Sequence, residues 1–251
     1  MTRFSGISHL LLDIEGTTCP VSFVAEVLFP YAAQQLPIFL ERRASDPRIH
    51  SLLEAVNQAW RQDDHPAAHS LLQKAAERNW EPAKACTAYL QLLISQDRKL
   101  TALKDLQGLI WRGGYAAGEL VAPLYPDVPA ALQRWHRQGL VLGVYSSGSV
   151  EAQQLLYGHS DAGDLTPLFS HWFDTRIGPK HQPESYRQIV QVMQASPSAT
   201  LFVSDALGEC EAAATAGLAV LFSSRSGNPE QNPGHFPTIS NYEGLALNNC
   251  L

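Results

Sequence analysis

The sequence has no Cys-x-x-Cys pair, no basic surplus, no internal repeat and no low-complexity tract, and each absence removes a class of explanation. Its four cysteines (Cys19, Cys86, Cys210 and Cys250) are scattered. A zinc ribbon, a dithiol redox centre and a disulfide-framed secreted domain are therefore not expected; free thiols in a reducing cytoplasm are. Lys and Arg total 18 against 24 Asp and Glu, a formal net charge of -6, so neither nucleic acid nor an anionic membrane is an expected partner. No apolar stretch reads as a bilayer span, and Met1-Thr2-Arg3-Phe4 carries no leader-like run. The expectation is a soluble, cytoplasmic, monomeric protein, long enough at 251 residues to bury a core without cross-links.

What is present centres on Ser8-His9-Leu10-Leu11-Leu12-Asp13-Ile14-Glu15-Gly16-Thr17-Thr18. The leucine run reads as a strand covered on both faces, and it ends in two carboxylates, a glycine and two hydroxyls. From Val21 to Leu40 the chain turns helical, with Pro30 and Pro37 expected to break any single long helix. Stripes at Leu52, Val56 and Trp60, at Ala85, Tyr89, Leu92 and Leu93, and at Leu100, Leu103, Leu106 and Leu109–Ile110 predict further helices with one covered face each. The helical pattern is expected to stop within Gly113-Gly114-Tyr115-Ala116-Ala117-Gly118. His65 and His69 have metal-like i, i+4 spacing, but Pro66 and the missing glutamate of HExxH favour a solvated helix.

From Pro126 to Phe222 strand and helix alternate, which predicts a parallel sheet with helices on its faces. The strands are Leu140–Tyr145, Thr200–Val203 and Ala219–Phe222, with a short apolar piece at Trp172–Phe173. Three apolar strands end in reactive groups: Asp13 and Glu15, Ser146 and Ser147, and Asp205 with Glu209 four residues on. Lys180 follows the turn Ile177-Gly178-Pro179. On one edge of a parallel sheet these groups suit a phosphate ester. Carboxylates hold Mg²⁺, an aspartate attacks phosphorus, hydroxyls and helix-start N–H groups cradle the phosphate, and a lysine balances the charge. A receiver-like signalling module would instead lack the hundred-residue helical insert.

In this order, Asp-x-acid-x-Thr, Ser-Ser, Lys and Ser-Asp-x-x-x-Glu resemble the haloacid dehalogenase-like (HAD) superfamily of phosphatases. The resemblance is closest to its enolase-phosphatase family (acireductone synthases of methionine salvage). It runs through Asp13–Thr18, Gln107–Trp111 with Gly114-Tyr115, Leu124–Val128, Tyr145–Gln153, Gly163–Leu165 and Phe173–Thr175. Glu15 stands where most HAD phosphatases carry aspartate; Ser204 and Pro179 depart mildly from the usual pattern. The resemblance implies an α/β fold, a Rossmann-like parallel-sheet core (1–19 and 123–251) with an inserted all-helical cap domain (20–122). It implies a small phosphate-ester substrate and Mg²⁺ associated with Asp13, Glu15 and Asp205. Asp13 would be the nucleophile, Glu15 a proton carrier, and Ser146, Ser147 and Lys180 the phosphate-binding residues, with Glu209 supporting them. Trp111 and Tyr115 would either meet the methylthio tail or pack the base of the cap.

Overall fold

The computed structural model describes residues 2–248. Its strands are β1 (Thr2–Ser5), β2 (His9–Leu12), β3 (Val141–Tyr145), β4 (His171–Phe173), β5 (Thr200–Ser204), β6 (Ala219–Ser223), β7 (Thr238–Ile239) and β8 (Leu245–Asn248). Six of them form one sheet in the order β4-β3-β2-β5-β6-β7, parallel throughout. β2 lies between β3 and β5, and its Leu10, Leu11 and Leu12 have no exposed surface. Each buried leucine is worth roughly 1.5–3 kcal/mol, enough to explain the unbroken apolar run. β1 and β8 pair separately as a two-stranded parallel ribbon, which the sequence pattern does not reveal.

The chain divides into two units. The first holds the residues up to Val24 and from Leu120 onward; it contains the sheet and helices α6 (Val128–Arg137), α7 (Val150–Gly158), α8 (Pro183–Val192) and α9 (Leu207–Thr215). Its core stacks Tyr145, Tyr186 and Phe202 edge to face, with ring centroids 5.5 and 5.0 Å apart. Cys19 and Cys210 are buried there without a disulfide; Cys86 is buried and unpaired in the other unit, and Cys250 lies outside the described residues.

The second unit, Ala25–Glu119, is helical, carrying α1 (Phe29–Arg42), α2 (Pro47–Arg61), α3 (Pro66–Glu77), α4 (Pro82–Ser95) and α5 (Thr101–Ala116). Two expectations about these helices have their outcome here. Pro30 and Pro37 do not break the first helix: a π-helical turn (Phe23–Leu28) leads into α1, Pro30 sits in its first turn, and Pro37 lies inside it. The carbonyl that Pro37 cannot serve, Ala33 O, accepts instead from Gln91 Nε2 at 3.0 Å. The stop within Gly113–Gly118 is found: α5 ends at Ala116, and Gly118 takes φ +71. Inside that last turn Gly114 leaves room for a neighbour, since a methyl there would come within 2.6 Å of Tyr31 Oη.

A third expectation concerned membranes. By length and composition alone the 20-residue run Phe23–Arg42, mean hydropathy 1.3, is long and apolar enough to cross one. Its stripe is used otherwise, since Ala32, Leu36 and Leu40 are buried in the core of the helical unit. His65 caps α3, its Nδ1 accepting from Ala67 N–H, and His69 is exposed on the same helix.

Asp63 organises the polar interior of this unit. It accepts from Arg98 Nη2 (2.7 Å), His65 N–H (3.0 Å) and Tyr89 Oη (2.8 Å), beneath a Trp60–Tyr89 stack with centroids 4.9 Å apart. The Arg98 hydrogen bond holds the Asp63 carboxyl at about 2, below its ordinary 3.8, against the opposing effect of burial. A depressed carboxyl pKa contributes stability that is complete above the unfolded value and disappears as pH falls through the folded one. Asp63→Asn is therefore expected to destabilise the chain by about 2 kcal/mol at neutral pH, because Arg98 is partly solvated and the full burial penalty does not apply. The loss should vanish between about pH 4 and pH 2, read by urea melts at stepped pH.

Candidate active site

Three adjacent strands deliver their C-terminal ends to one sheet edge. Leu12 pairs with Val144 and Val203, so Asp13 after β2, Ser146 after β3, and Ser204 and Asp205 at the end of β5 emerge side by side. Lys180 arrives on the connection from β4 to α8, and hydroxyls fix that connection carbonyl by carbonyl. Tyr145 donates to Gly178 O, Ser185 to Pro179 O and Tyr186 to Lys180 O, each at 2.8 Å. The departure at Pro179 is thus absorbed, because proline keeps the carbonyl that Ser185 binds.

Lys180 is buried, and its ammonium lies 2.7 Å from Asp13 Oδ1 and 2.6 Å from Glu209 Oε2. Burial works against its charge, but Asp13 and Glu209 outweigh that and push its pKa up. Ser204 Oγ donates to Glu209 Oε2 (2.8 Å) and stands 3.4 Å from Asp13 Oδ2. Glu209, whose pKa is raised by burial and by the charge of Asp13, therefore touches both the lysine and the serine beside Asp13.

The turn after Asp13 is clamped by residues that no motif marked. Gly16 O accepts from Ser223 Oγ (2.8 Å) and Asn228 Nδ2 (2.9 Å); Thr17 O accepts from Tyr242 Oη (3.1 Å) and Arg225 Nη2 (3.4 Å). Arg225 also forks onto Asp127 at 2.7 and 2.9 Å and is sandwiched between the rings of Tyr125 and Tyr242. Thr18 Oγ1 meets Tyr157 Oη at 2.7 Å. Gly16 has φ +67, and any side chain there would collide with the Asp205 carboxylate and crowd the Asn228 amide. The missed signal was the polar run Ser223-Ser224-Arg225, a further strand end on the same sheet edge.

The other expected residues fall as follows. Glu15 is half-buried in the turn, its backbone bridged to Cys19. Ser146 is buried, donating its N–H to Phe173 O and accepting at Oγ from Gly148 N–H; Ser147 is exposed. Trp111 Nε1 donates to Leu28 O and its ring stacks on Phe29, and Tyr115 is buried.

The donor set suits a hard divalent cation. Burial first, then the charges of Asp13 and Glu209, push Asp205 up to about 7, and no cation forms an ion pair with it among the described residues. Lys180 is already committed to the other two acids, so the cluster carries uncompensated negative charge. No group of three or more His, Cys, Asp or Glu side chains is arranged to hold a metal among the described residues. A cation that binds through one or two carboxylates and fills its shell with water and phosphate oxygens requires no such group.

Comparisons with known proteins agree with this geometry. Residues 7–217 match the family model of haloacid dehalogenase-like hydrolases. The chain is 49% identical to enolase-phosphatase E1 of Synechococcus sp. (strain CC9902), covering 94% of this chain and 96% of that one. It is 47% identical to enolase-phosphatase E1 of Synechococcus elongatus, over 95% and 98%. Among solved structures it is similar to the UTR4 protein of Saccharomyces cerevisiae, with TM-score 0.71, 33% identity, and coverage of 95% and 100%.

Removing the shared cation leaves two buried acids facing each other. Lys180→Met is expected to cost about 3 kcal/mol of stability at neutral pH. The cost should shrink as pH falls, because acidification neutralises Glu209, whose carboxyl burial and Asp13 already push up, and equilibrium urea unfolding at stepped pH measures the difference.

Proposed function

The chain belongs to the haloacid dehalogenase-like hydrolase family, among its enolase-phosphatases, and we propose the reaction that follows for it. The substrate is 2,3-diketo-5-methylthiopentyl-1-phosphate, and the products are 1,2-dihydroxy-3-keto-5-methylthiopentene and inorganic phosphate, as a step of methionine salvage. The observation that carries this reading is the Lys180 ammonium held 2.7 Å from the Asp13 carboxylate at the sheet edge. A carboxylate can approach an anionic phosphate ester only where fixed positive charge offsets the repulsion.

In the first half, a proton leaves the carbon bearing the ester and another is placed on the neighbouring carbonyl oxygen, giving the enol. Glu15, two residues beyond Asp13, is assigned the proton transfer. In the second half, Asp13 attacks phosphorus, the bond from phosphorus to the ester oxygen breaks, and that oxygen, left on its carbon, is protonated. Water then cleaves the aspartyl-phosphate, releasing phosphate and restoring the carboxylate. Ser146 and Ser147 bind phosphate oxygens, Lys180 neutralises charge, and Glu209 and Ser204 keep Lys180 and Asp13 in register. Asp13, Asp205 and the Glu15 position would hold Mg²⁺, which supplies positive charge for the enolate and phosphate oxygens. The helical unit, inserted in the chain between β2 and β3, is assigned as the cap. A monomer in the cytoplasm fits the buried, unpaired Cys19, Cys86 and Cys210 and the four exposed large apolar side chains among the described residues.

The test is an assay with the diketone phosphate that follows enediol ultraviolet absorbance and phosphate together. Both signals are expected, and both should disappear with chelator. Phosphate without enediol absorbance would mark a phosphatase for some other ester. Asp13→Asn should reduce phosphate release by at least about 10³-fold while leaving the fold intact. Glu15→Asp should slow enediol formation by about 10²-fold, and normal rates of both steps in that variant would remove Glu15 from the proton transfer.

A further inference from the structure

The Ser146–Ser149 loop depends on a side chain outside the acid cluster. Gln153, in the first turns of α7, is 1% exposed and donates both amide hydrogens to main-chain carbonyls, Gly148 O at 2.9 Å and Phe173 O at 2.8 Å. Its own Oε1 is buried and has no hydrogen-bond partner among the described residues. Two facing carbonyls settle which end of the amide is nitrogen, since the flipped amide would set oxygen against oxygen. A buried acceptor left unmade is costly, and an apolar side chain of the same size would avoid that cost. The fold tolerates it while keeping two donors on this loop.

Those donors fix peptide orientation. Gly148 O and Ser149 N–H belong to one trans peptide and point in opposite directions. Holding the Gly148 carbonyl against Gln153 therefore turns the Ser149 N–H away from it, at the N-terminal end of α7, where Ser149 Oγ caps the helix by accepting from Ala152 N–H. Phe173 O is shared, because Ser146 N–H also donates to it at 3.2 Å. One amide thus ties both ends of the loop to the end of β4. Glycine at 148 offers little resistance to a peptide flip, and a flip would exchange an N–H donor for a carbonyl oxygen. An anion is attracted by the first and repelled by the second.

We propose that Gln153 is a positioning residue for phosphate, locking the Ser146–Ser149 loop in the orientation that presents donors rather than a carbonyl oxygen. This rests on the assignment of Ser146 and Ser147 to phosphate binding made under Proposed function. Gln153→Met keeps the bulk while removing both donors and the unpaired acceptor. The probe is inorganic phosphate, titrated calorimetrically onto the full chain in magnesium buffer, beside thermal melts and steady-state kinetics with the diketone phosphate.

Phosphate binding is expected to weaken about tenfold in Gln153→Met, the scale of one net hydrogen bond, with KM rising by a similar factor and kcat changing less. Leu156→Ala, a buried change on the same helix, is the control: it should lower the melting temperature and leave phosphate binding as in the wild type. Unchanged phosphate affinity in Gln153→Met, or an equal loss in Leu156→Ala, overturns the proposal. If Gln153→Met does not fold, Gln153→Glu replaces it. Its carboxylate repels both carbonyls at about pH 8, and its protonated form restores one donor near about pH 5. Phosphate affinity relative to the wild type at the same pH should then recover on acidification, and no recovery overturns the proposal. The titration involves no turnover, so failure to form the enediol would sink the functional reading alone. Ser147→Ala binding phosphate as the wild type does would remove Ser147 from the binding assignment.

Discussion

One ammonium group shared between two buried carboxylates is the constraint on which the rest of the site depends. Lys180 meets Asp13 and Glu209 at 2.7 and 2.6 Å where water is largely excluded, and a third acid, Asp205, stands by without a lysine or arginine of its own. Burying three acids around one base costs more than it returns as a contribution to folding. That arrangement makes sense if the missing charge is brought by a metal and balanced in turn by the substrate's phosphate.

Holding such a cluster in place falls to the main chain as much as to the side chains. Consecutive carbonyls at Gly178, Pro179 and Lys180 are each met by a hydroxyl, and consecutive carbonyls at Gly16 and Thr17 by four donors from the end of β6 and the segment after it. Gln153 does the same for Gly148. Three connections that carry reactive groups are thus fixed by their peptide oxygens.

The strands and their reactive ends were legible because buried parallel strands write themselves as continuous apolar runs, and Leu10–Leu12, Val141–Tyr145 and Thr200–Val203 did so. Asp13, Lys180 and Asp205 could be picked out because each follows such a run or a fixed turn. The effect of Pro37 was misjudged for a reason no local pattern contains: Gln91, distant in sequence, serves the carbonyl that Pro37 leaves free. Arg225, Asn228 and Gln153 escaped notice because they act on backbone atoms, and any long polar side chain in a sequence is equally able to do that.

The clamp on the Asp13 turn has a consequence for how the protein comes to life on the ribosome. Thr17 is made well before its partners, since Arg225 and Tyr242 lie 208 and 225 positions later. A nascent chain can assemble β2, β3 and β5 before those two residues emerge. Until they do, the acidic turn lacks its fasteners, so the sheet is in place before the chemistry is.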